Sequence, residues 1–160
     1  IDTSLLSIGK HIVYVRGQDT AGNWGAVSAI FLQITQPDYW VSLDPTSSLQ
    51  GGEPGEIITH TLNISNLGSE GDTYTIALSS DWSRTVLLPN GDELPSGETL
   101  ALASGQSIVL RIIFLAPAQS TSGDQDSAQI TLTSQGYPPL SRIASLNSVI
   151  WWHIYFPLLR

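Results

Sequence analysis

Apolar and polar residues alternate along most of the chain with the period of two that a half-buried strand shows. The alternation is clearest in IITHTLNISNLGSEGDTYTIAL, residues 57–78, where it predicts two strands and a turn. Asn66 and Gly68 lie in that turn, because Asn can bond its own backbone and Gly can adopt a positive φ. The pattern therefore predicts a central hairpin whose inward-facing residues are Ile58, His60, Leu62, Ile64, Tyr74, Ile76 and Leu78.

Further strands with the same alternation follow at the spacing of an antiparallel sandwich. A first strand is predicted at 39–43, and the segment 47–56 is rich in turn residues. The strongest strand is predicted at 108–114, with Ile108, Leu110, Ile112 and Phe114 facing inward. The last strand is predicted at 128–132, with Ile130 and Leu132 facing inward. The sequence thus predicts an all-β fold, an antiparallel Ig-like β-sandwich that spans residues 39–136.

In residues 1–34 the pattern predicts only two strands, at 11–16 and 26–34. The turn that joins them is predicted to be capped by Asp19 and to contain a left-handed Gly22. An isolated two-stranded hairpin is marginal in water. We therefore expect these to be the terminal strands of another β-sandwich domain, whose remaining strands lie upstream. Ile1 in place of Met agrees with a piece taken from a longer chain.

Two segments without a sandwich pattern complete the predicted organisation. Residues 35–38 are predicted to be a linker, because Pro37 cannot serve a central strand. Residues 137–160 are predicted to be an apolar tail that pairs with a sheet edge, packs on the sandwich or is covered by something else. Its longest apolar run falls short of the ~20 residues that a membrane helix needs, so no transmembrane segment is expected.

Composition excludes several classes of function. The formal charge is −8 with only 6 Lys and Arg, so the clustered cations that nucleic acid binding requires are missing. The chain has no Cys, which rules out a disulfide framework and a thiolate metal site. The shortage of Lys also leaves few helix-stabilising Glu–Lys pairs, which favours the all-β class.

No catalytic constellation is recognisable in the sequence. His11, His60 and His153 fall one to each region, and neither a G-x-S-x-G nucleophile motif nor an H-E-x-x-H zinc motif occurs. We therefore predict no catalytic residues, no cofactor and no enzymatic activity for this chain. His60, on an inward-facing position, is interpreted as a buried histidine with a hydrogen-bond partner.

Two loops carry the oxygen ligands that calcium prefers. Asp19 and Asn23 lie in the first, and Asp124 and Asp126 lie in the second. Neither loop has the ligand number of a dedicated site. A structural turn is the favoured interpretation of both loops, and calcium is the alternative.

Aromatic side chains are the best candidates for a ligand-contacting surface, since amphipathic rings stack on sugars and grip partners. The candidates are Trp40, Trp82, Tyr137, Trp151 and Trp152. The favoured interpretation places Trp82 in the core and the other tryptophans in interdomain or edge packing. A carbohydrate-binding module built on these rings predicts that at least two of Trp40, Trp82 and Tyr137 are coplanar and exposed on one face.

The first unit contains a family motif. GKHIVYVRGQDTAGNWGAVSAIFLQI, residues 9–34, resembles the last two strands of an Ig-like or fibronectin type III-like domain. Such a domain ends the catalytic part of some secreted bacterial peptidases, zinc carboxypeptidases in particular. The resemblance implies that the parent protein is a peptidase of that kind.

The second unit resembles the Ig-like domains appended to secreted bacterial glycosidases, peptidases and surface proteins. The matching segments are PGEIITHTLNISNLG at 54–68, DTYTIAL at 72–78, Trp82, SGQSIVLRIIFLAP at 104–117 and DSAQITLTS at 126–134. His60 departs from this family, which usually has an aromatic residue there. The end of the chain resembles the Y-L-P-L-hydrophobic-R termini of exported proteins in some filamentous bacteria.

These resemblances imply a non-catalytic accessory or spacer module of an exported bacterial peptidase, secreted or held at the cell surface. The implied partners are an upstream catalytic or Ig-like domain of the same polypeptide and a cell-surface polymer. Two alternatives remain open: a carbohydrate-binding module that uses exposed aromatics, and a segment for adhesion or secretion sorting that works through the tail.

Overall fold

The computed structural model describes residues 6–35 and 37–151. The chain divides into two compact units, Ile1–Pro37 and Asp38–Arg160, and the division falls within the segment predicted as a linker. Among the described residues, no helix is long and apolar enough to cross a membrane.

The first unit contains one antiparallel hairpin. Strand β1 (Gly9–Val15) pairs with strand β2 (Ser28–Ile34) along their whole length. The loop between them is closed by a bond from the Gly25 N–H to the Gly17 carbonyl, 2.8 Å long. No further strand of this unit lies within the described residues, so the hairpin has no sheet neighbour there.

The second unit is a sandwich of two sheets. Its strands are β3 (Val41–Asp44), β4 (Ser47–Gly52), β5 (Ile57–Asn66), β6 (Asp72–Ser79), β7 (Ser83–Leu87), β8 (Thr99–Leu102), β9 (Ser107–Leu115), β10 (Gln125–Ser134) and β11 (Ser141–Ile150). One sheet has the order β4-β11-β10-β6-β8 and the other the order β3-β5-β9-β7. All neighbours are antiparallel except β11 and β4. The prediction of an all-β, Ig-like sandwich is confirmed.

The core lies between the two sheets and contains the inward-facing residues that the alternation predicted. Leu62, Ile64, Tyr74, Leu110 and Phe114 are fully buried. Burial of a large apolar side chain contributes roughly 1.5–3 kcal/mol. Because both sheets contribute to this interior, neither sheet is expected to be stable without the other.

The prediction of a central hairpin is wrong, because β5 and β6 lie in different sheets. Strand β5 pairs with β3 and β9, whereas β6 pairs with β10 and β8. The buried Asn66 holds the crossing: its Nδ2 donates to the carbonyls of Glu70 (2.9 Å) and Leu102 (3.0 Å). The alternation reports which face of a strand is buried and does not identify the neighbouring strand.

Gly68 in this crossing is required for a different reason than predicted. It lies outside the positive-φ region. A Cβ at this position would stand 2.4 Å from the carbonyl oxygen of Asp38 and 2.9 Å from the nitrogen of Trp40. The backbone therefore passes too close to the entering chain for any side chain.

The segment 47–56, predicted to be turn-rich, contains strand β4. The chain leaves the four-stranded sheet after β3, passes a cis Asp44–Pro45 peptide, and joins the edge of the other sheet in parallel with β11. Strand β4, SSLQGG, has few apolar residues, because an edge strand at the corner of the sandwich covers little of the core.

The predicted boundary at residue 136 is also wrong, because the sandwich continues through β11. This strand lies between β10 and β4 in the five-stranded sheet. Its inward-facing residues include Ala144, Leu146 and Ile150, all buried. Small and polar residues dominate its sequence, SRIASLNSVI, which weakened the alternation. Of the predicted tail, residues 152–160 lie outside the described part of the chain.

Candidate functional site

The first calcium candidate is organised as a hydrogen-bonded turn. Asp19 Oδ1 accepts the backbone N–H groups of Ala21 (2.9 Å) and Asn23 (2.8 Å), and Oδ2 accepts the side-chain amide of Asn23 at 3.1 Å. These bonds, the one from the Asn23 backbone first, lower the pKa of Asp19. Gly22 has φ +87°, as the turn predicted. Both carboxylate oxygens are thus used to hold the loop.

The second calcium candidate places its two carboxylates in different roles. Asp124 Oδ2 accepts the Thr121 N–H at 2.7 Å and closes a surface turn. Asp126 is buried, and its oxygens accept the Ser80 hydroxyl (2.6 Å) and the Asp81 N–H (2.9 Å). Asp126 therefore ties β10 to the turn after β6. Within residues 6–35 and 37–151, no three acidic or histidine side chains converge on a point that could hold a metal ion.

Trp82, one of the candidate ligand-contacting aromatics, is only 8% exposed and belongs to the core, so its ring is not available to a ligand. Trp40 is 43% exposed, but the guanidinium of Arg142 lies 4.5 Å from the centre of its ring. One face of Trp40 is thus occupied by a cation.

Trp40 and Trp151 are separated along the fold. Tyr137 is exposed in the turn between β10 and β11. Trp151 is 46% exposed and follows the last residue of β11, whereas Arg142, which contacts Trp40, is near its first residue. Trp40 and Trp151 therefore lie near opposite ends of one strand, about 30 Å apart, too far to share one sugar ring. Trp152 lies outside the described residues.

A shallow depression of about 420 Å³ lies at one end of the sandwich, beside Tyr39, Asp72 and Gln135. The carboxylate that lines the depression, that of Asp72, already accepts hydrogen bonds from the protein. Asp72 Oδ2 accepts the Ser134 hydroxyl at 2.5 Å, and Oδ1 accepts the N–H groups of Thr73 (2.7 Å) and Gly136 (3.0 Å). Asp72 thus fixes the turn after β10, and the depression contains no acid–base pair.

His60 is buried with hydrogen-bond partners, as the sequence predicted. Its Nδ1 lies 2.9 Å from Ser48 Oγ and its Nε2 lies 3.0 Å from Ser148 Oγ. The ring meets Phe114 edge to face, with centroids 5.5 Å apart. Burial lowers the pKa of His60, so the neutral imidazole is favoured. The side chain joins β5 of one sheet to β4 and β11 of the other.

Tyr74 carries a buried hydroxyl without a hydrogen-bond partner among the described residues. Burial, with a contribution from the charge of Asp72, raises the pKa of Tyr74 to about 12. An unsatisfied buried hydroxyl costs about 1–3 kcal/mol.

We therefore expect Tyr74→Phe to stabilise the sandwich by about 1 kcal/mol, since it removes the hydroxyl and keeps the ring. Urea unfolding followed by circular dichroism measures this change. Tyr137→Phe, on an exposed tyrosine, is the matched control and should change stability by less than ~0.5 kcal/mol. A loss of stability in Tyr74→Phe would show that the hydroxyl has a partner.

Together, the two sheets, their shared core and the bonded buried polar groups define an antiparallel Ig-like β-sandwich. No protein-family model matches the chain, and no curated protein matches it.

The chain is similar to solved structures at low identity. A family 123 glycoside hydrolase from Clostridium perfringens is 11% identical over 71% of this chain and 27% of its own, with a TM-score of 0.51. The PapD-like domain of human CEP192 is 20% identical over 79% of this chain and 94% of its own, with a TM-score of 0.45. The chain thus spans about a quarter of the glycoside hydrolase, and at these identities the likeness concerns the fold alone.

Proposed function

We propose that the chain is a non-catalytic accessory module of an exported bacterial protein, which spaces a neighbouring domain of the same polypeptide. The sandwich supports this role through its buried polar groups. Asp72, Asp126 and His60 each bond partners that hold strands or turns together. Side chains that would be candidates for chemistry are used to make the module rigid.

The hairpin of the first unit carries the proposal. One face has exposed Ile12, Tyr14 and Phe31, and the other has exposed Val15 and Ile30. Two strands with apolar side chains on both faces do not fold stably alone in water. We therefore propose that upstream strands of the same polypeptide complete a second β-sandwich, joined to the first through the predicted linker.

The nature of that upstream protein follows from the resemblance of residues 9–34 to the domain that ends some zinc carboxypeptidases. We propose a secreted or surface-bound peptidase of this kind as the parent, with its zinc ligands upstream. Zinc content and peptidase activity should then be properties of the longer protein and should be lost when the upstream region is removed.

Amide hydrogen exchange tests the completion of the hairpin. In the 160-residue chain, the amides of β1 and β2 should exchange orders of magnitude faster than those of β5 and β9, which serve as the internal reference. In a protein that includes the preceding natural residues, they should become protected. Equal protection of the β1–β2 pair and the β5–β9 pair in the 160-residue chain, or fast exchange of β1 and β2 in the longer protein, would contradict the proposal.

A further inference from the structure

Among the described residues of its five strands, the five-stranded sheet has no charged side chain in the outward-facing set. The charged residues of its five strands are Asp72, Asp126 and Arg142, and all three belong to the inward-facing set of their strands. Alternation therefore leaves only neutral residues on the outer face. In a chain with a formal charge of −8, an uncharged face across five strands sets this surface apart.

Hydroxyl and amide groups cover this outer face in rows. The register places Ser145 beside Gln129 and Gln129 beside Ser79, and it places Thr133 beside Thr75 and Thr75 beside Thr99. Neighbouring strands lie about 4.8 Å apart, so these short side chains form a flat array of hydrogen-bonding groups. Large apolar side chains are sparse on the face; Ile143 and Leu49 are the exposed ones.

An aromatic ring borders the array at the β4 edge. Gly51 pairs with Val149 and faces outward, and a Cβ on Gly51 would lie 2.4 Å from the ring of Trp151. The Trp151 ring therefore lies over the outer face at Gly51. It remains 46% exposed, which leaves part of its surface available for stacking.

We propose that this face, with Trp151 at its border, binds a neutral polysaccharide. Sugar hydroxyls can exchange hydrogen bonds with the Ser, Thr and Gln groups, and an indole can stack on the apolar face of a sugar ring. A charged polymer would lose hydration there without meeting a counter-charge. A protein interface would need a more apolar centre than this array provides.

Binding isotherms of the full 160-residue chain on microcrystalline cellulose, chitin and an insoluble β-1,3-glucan test the proposal, with polygalacturonate as the charged comparison. We expect binding to at least one of the neutral polymers, little change between 0.1 and 1 M NaCl, and none to polygalacturonate. Trp151→Ala and Gln129→Glu should each weaken binding about tenfold. Thr59→Glu places the same charge on the outer face of the other sheet and should change binding less than twofold.

Several outcomes would overturn the proposal. Binding that is unchanged in both Trp151→Ala and Gln129→Glu would place the sugar elsewhere, and binding that salt abolishes would be electrostatic. Absence of binding to all three neutral polymers would contradict the proposal that the face binds a neutral polysaccharide. A concentration-dependent dimer, detected by ultracentrifugation and abolished by Gln129→Glu, would assign the face to a second copy of the chain.

Discussion

A chain that ends at residue 136 is expected to be unfolded, whereas a chain that ends at Trp151 is expected to keep the sandwich. The shorter chain lacks β11, which lies between β10 and β4 in the five-stranded sheet. It loses the buried side chains of Leu146 and Ile150, worth roughly 1.5–3 kcal/mol each. Strand β4 loses β11, its one sheet neighbour among the described residues. Together these losses approach the 5–15 kcal/mol that stabilises a typical domain.

Circular dichroism and urea titration of the two truncated chains measure the difference. The chain ending at Trp151 should unfold in one cooperative transition, and the chain ending at residue 136 should show no transition. The pair is matched, because both lack residues 152–160 and differ only in the segment that contains β11. A cooperative transition at the same urea midpoint in both chains would show that β11 is dispensable.

The alternation of apolar and polar residues was sufficient to predict the fold class and most of the core. Leu62, Tyr74, Leu110 and Phe114 were all placed inward from sequence, because burial of one strand face is a local property of the chain. Strand pairing is not local. The same pattern in β5 and β6 fits a hairpin or a crossing between sheets, and the crossing depends on the distant carbonyl of Leu102 that Asn66 contacts.

Strands β4 and β11 were not predicted from the sequence, and both were missed for the same physical reason. Both are rich in Ser, and their inward positions include Ser48 and Ser148, which bond His60 instead of filling apolar space. A polar residue at a core position weakens the alternation. His60 was the sequence signal that could have indicated these two strands, since a buried imidazole requires polar partners on facing strands.

The uncharged outer face could not be predicted from the sequence either, because it depends on the register of five strands that come from distant parts of the chain. Trp151 was a candidate from the start, but its position over Gly51 follows from the parallel pairing of β11 with β4. Trp82 was named among the candidate aromatics with the core as its favoured interpretation, and it lies in the core. An aromatic after a strand has no pattern that by itself separates core from surface.

His60 should make the stability of the sandwich depend on pH. Its pKa in the folded chain lies below the ordinary value of 6.5, because burial disfavours the imidazolium. The unfolded chain therefore binds more protons once the pH falls below about 7. The contribution of the neutral imidazole is present above that range and is lost as the pH falls through 6.5 toward the folded pKa.

His60→Phe is the variant that isolates this effect. At pH 8 it should cost about 1–3 kcal/mol, because Ser148, which is fully buried, loses its partner while an aromatic ring is kept. Adding Ser148→Ala should recover part of that loss, since it removes the orphaned hydroxyl.

Urea unfolding at a series of pH values between 8 and 5 provides the decisive comparison. The other histidines and the carboxylates are common to the wild-type chain and His60→Phe, so the difference between the two stability curves reports His60 alone. That difference should shrink as the pH falls, because only the wild-type chain must keep an imidazole neutral against protonation. Parallel curves over this range would mean that His60 is protonated as readily in the sandwich as in the unfolded chain, and the bonds to Ser48 and Ser148 would then join the two sheets in either charge state.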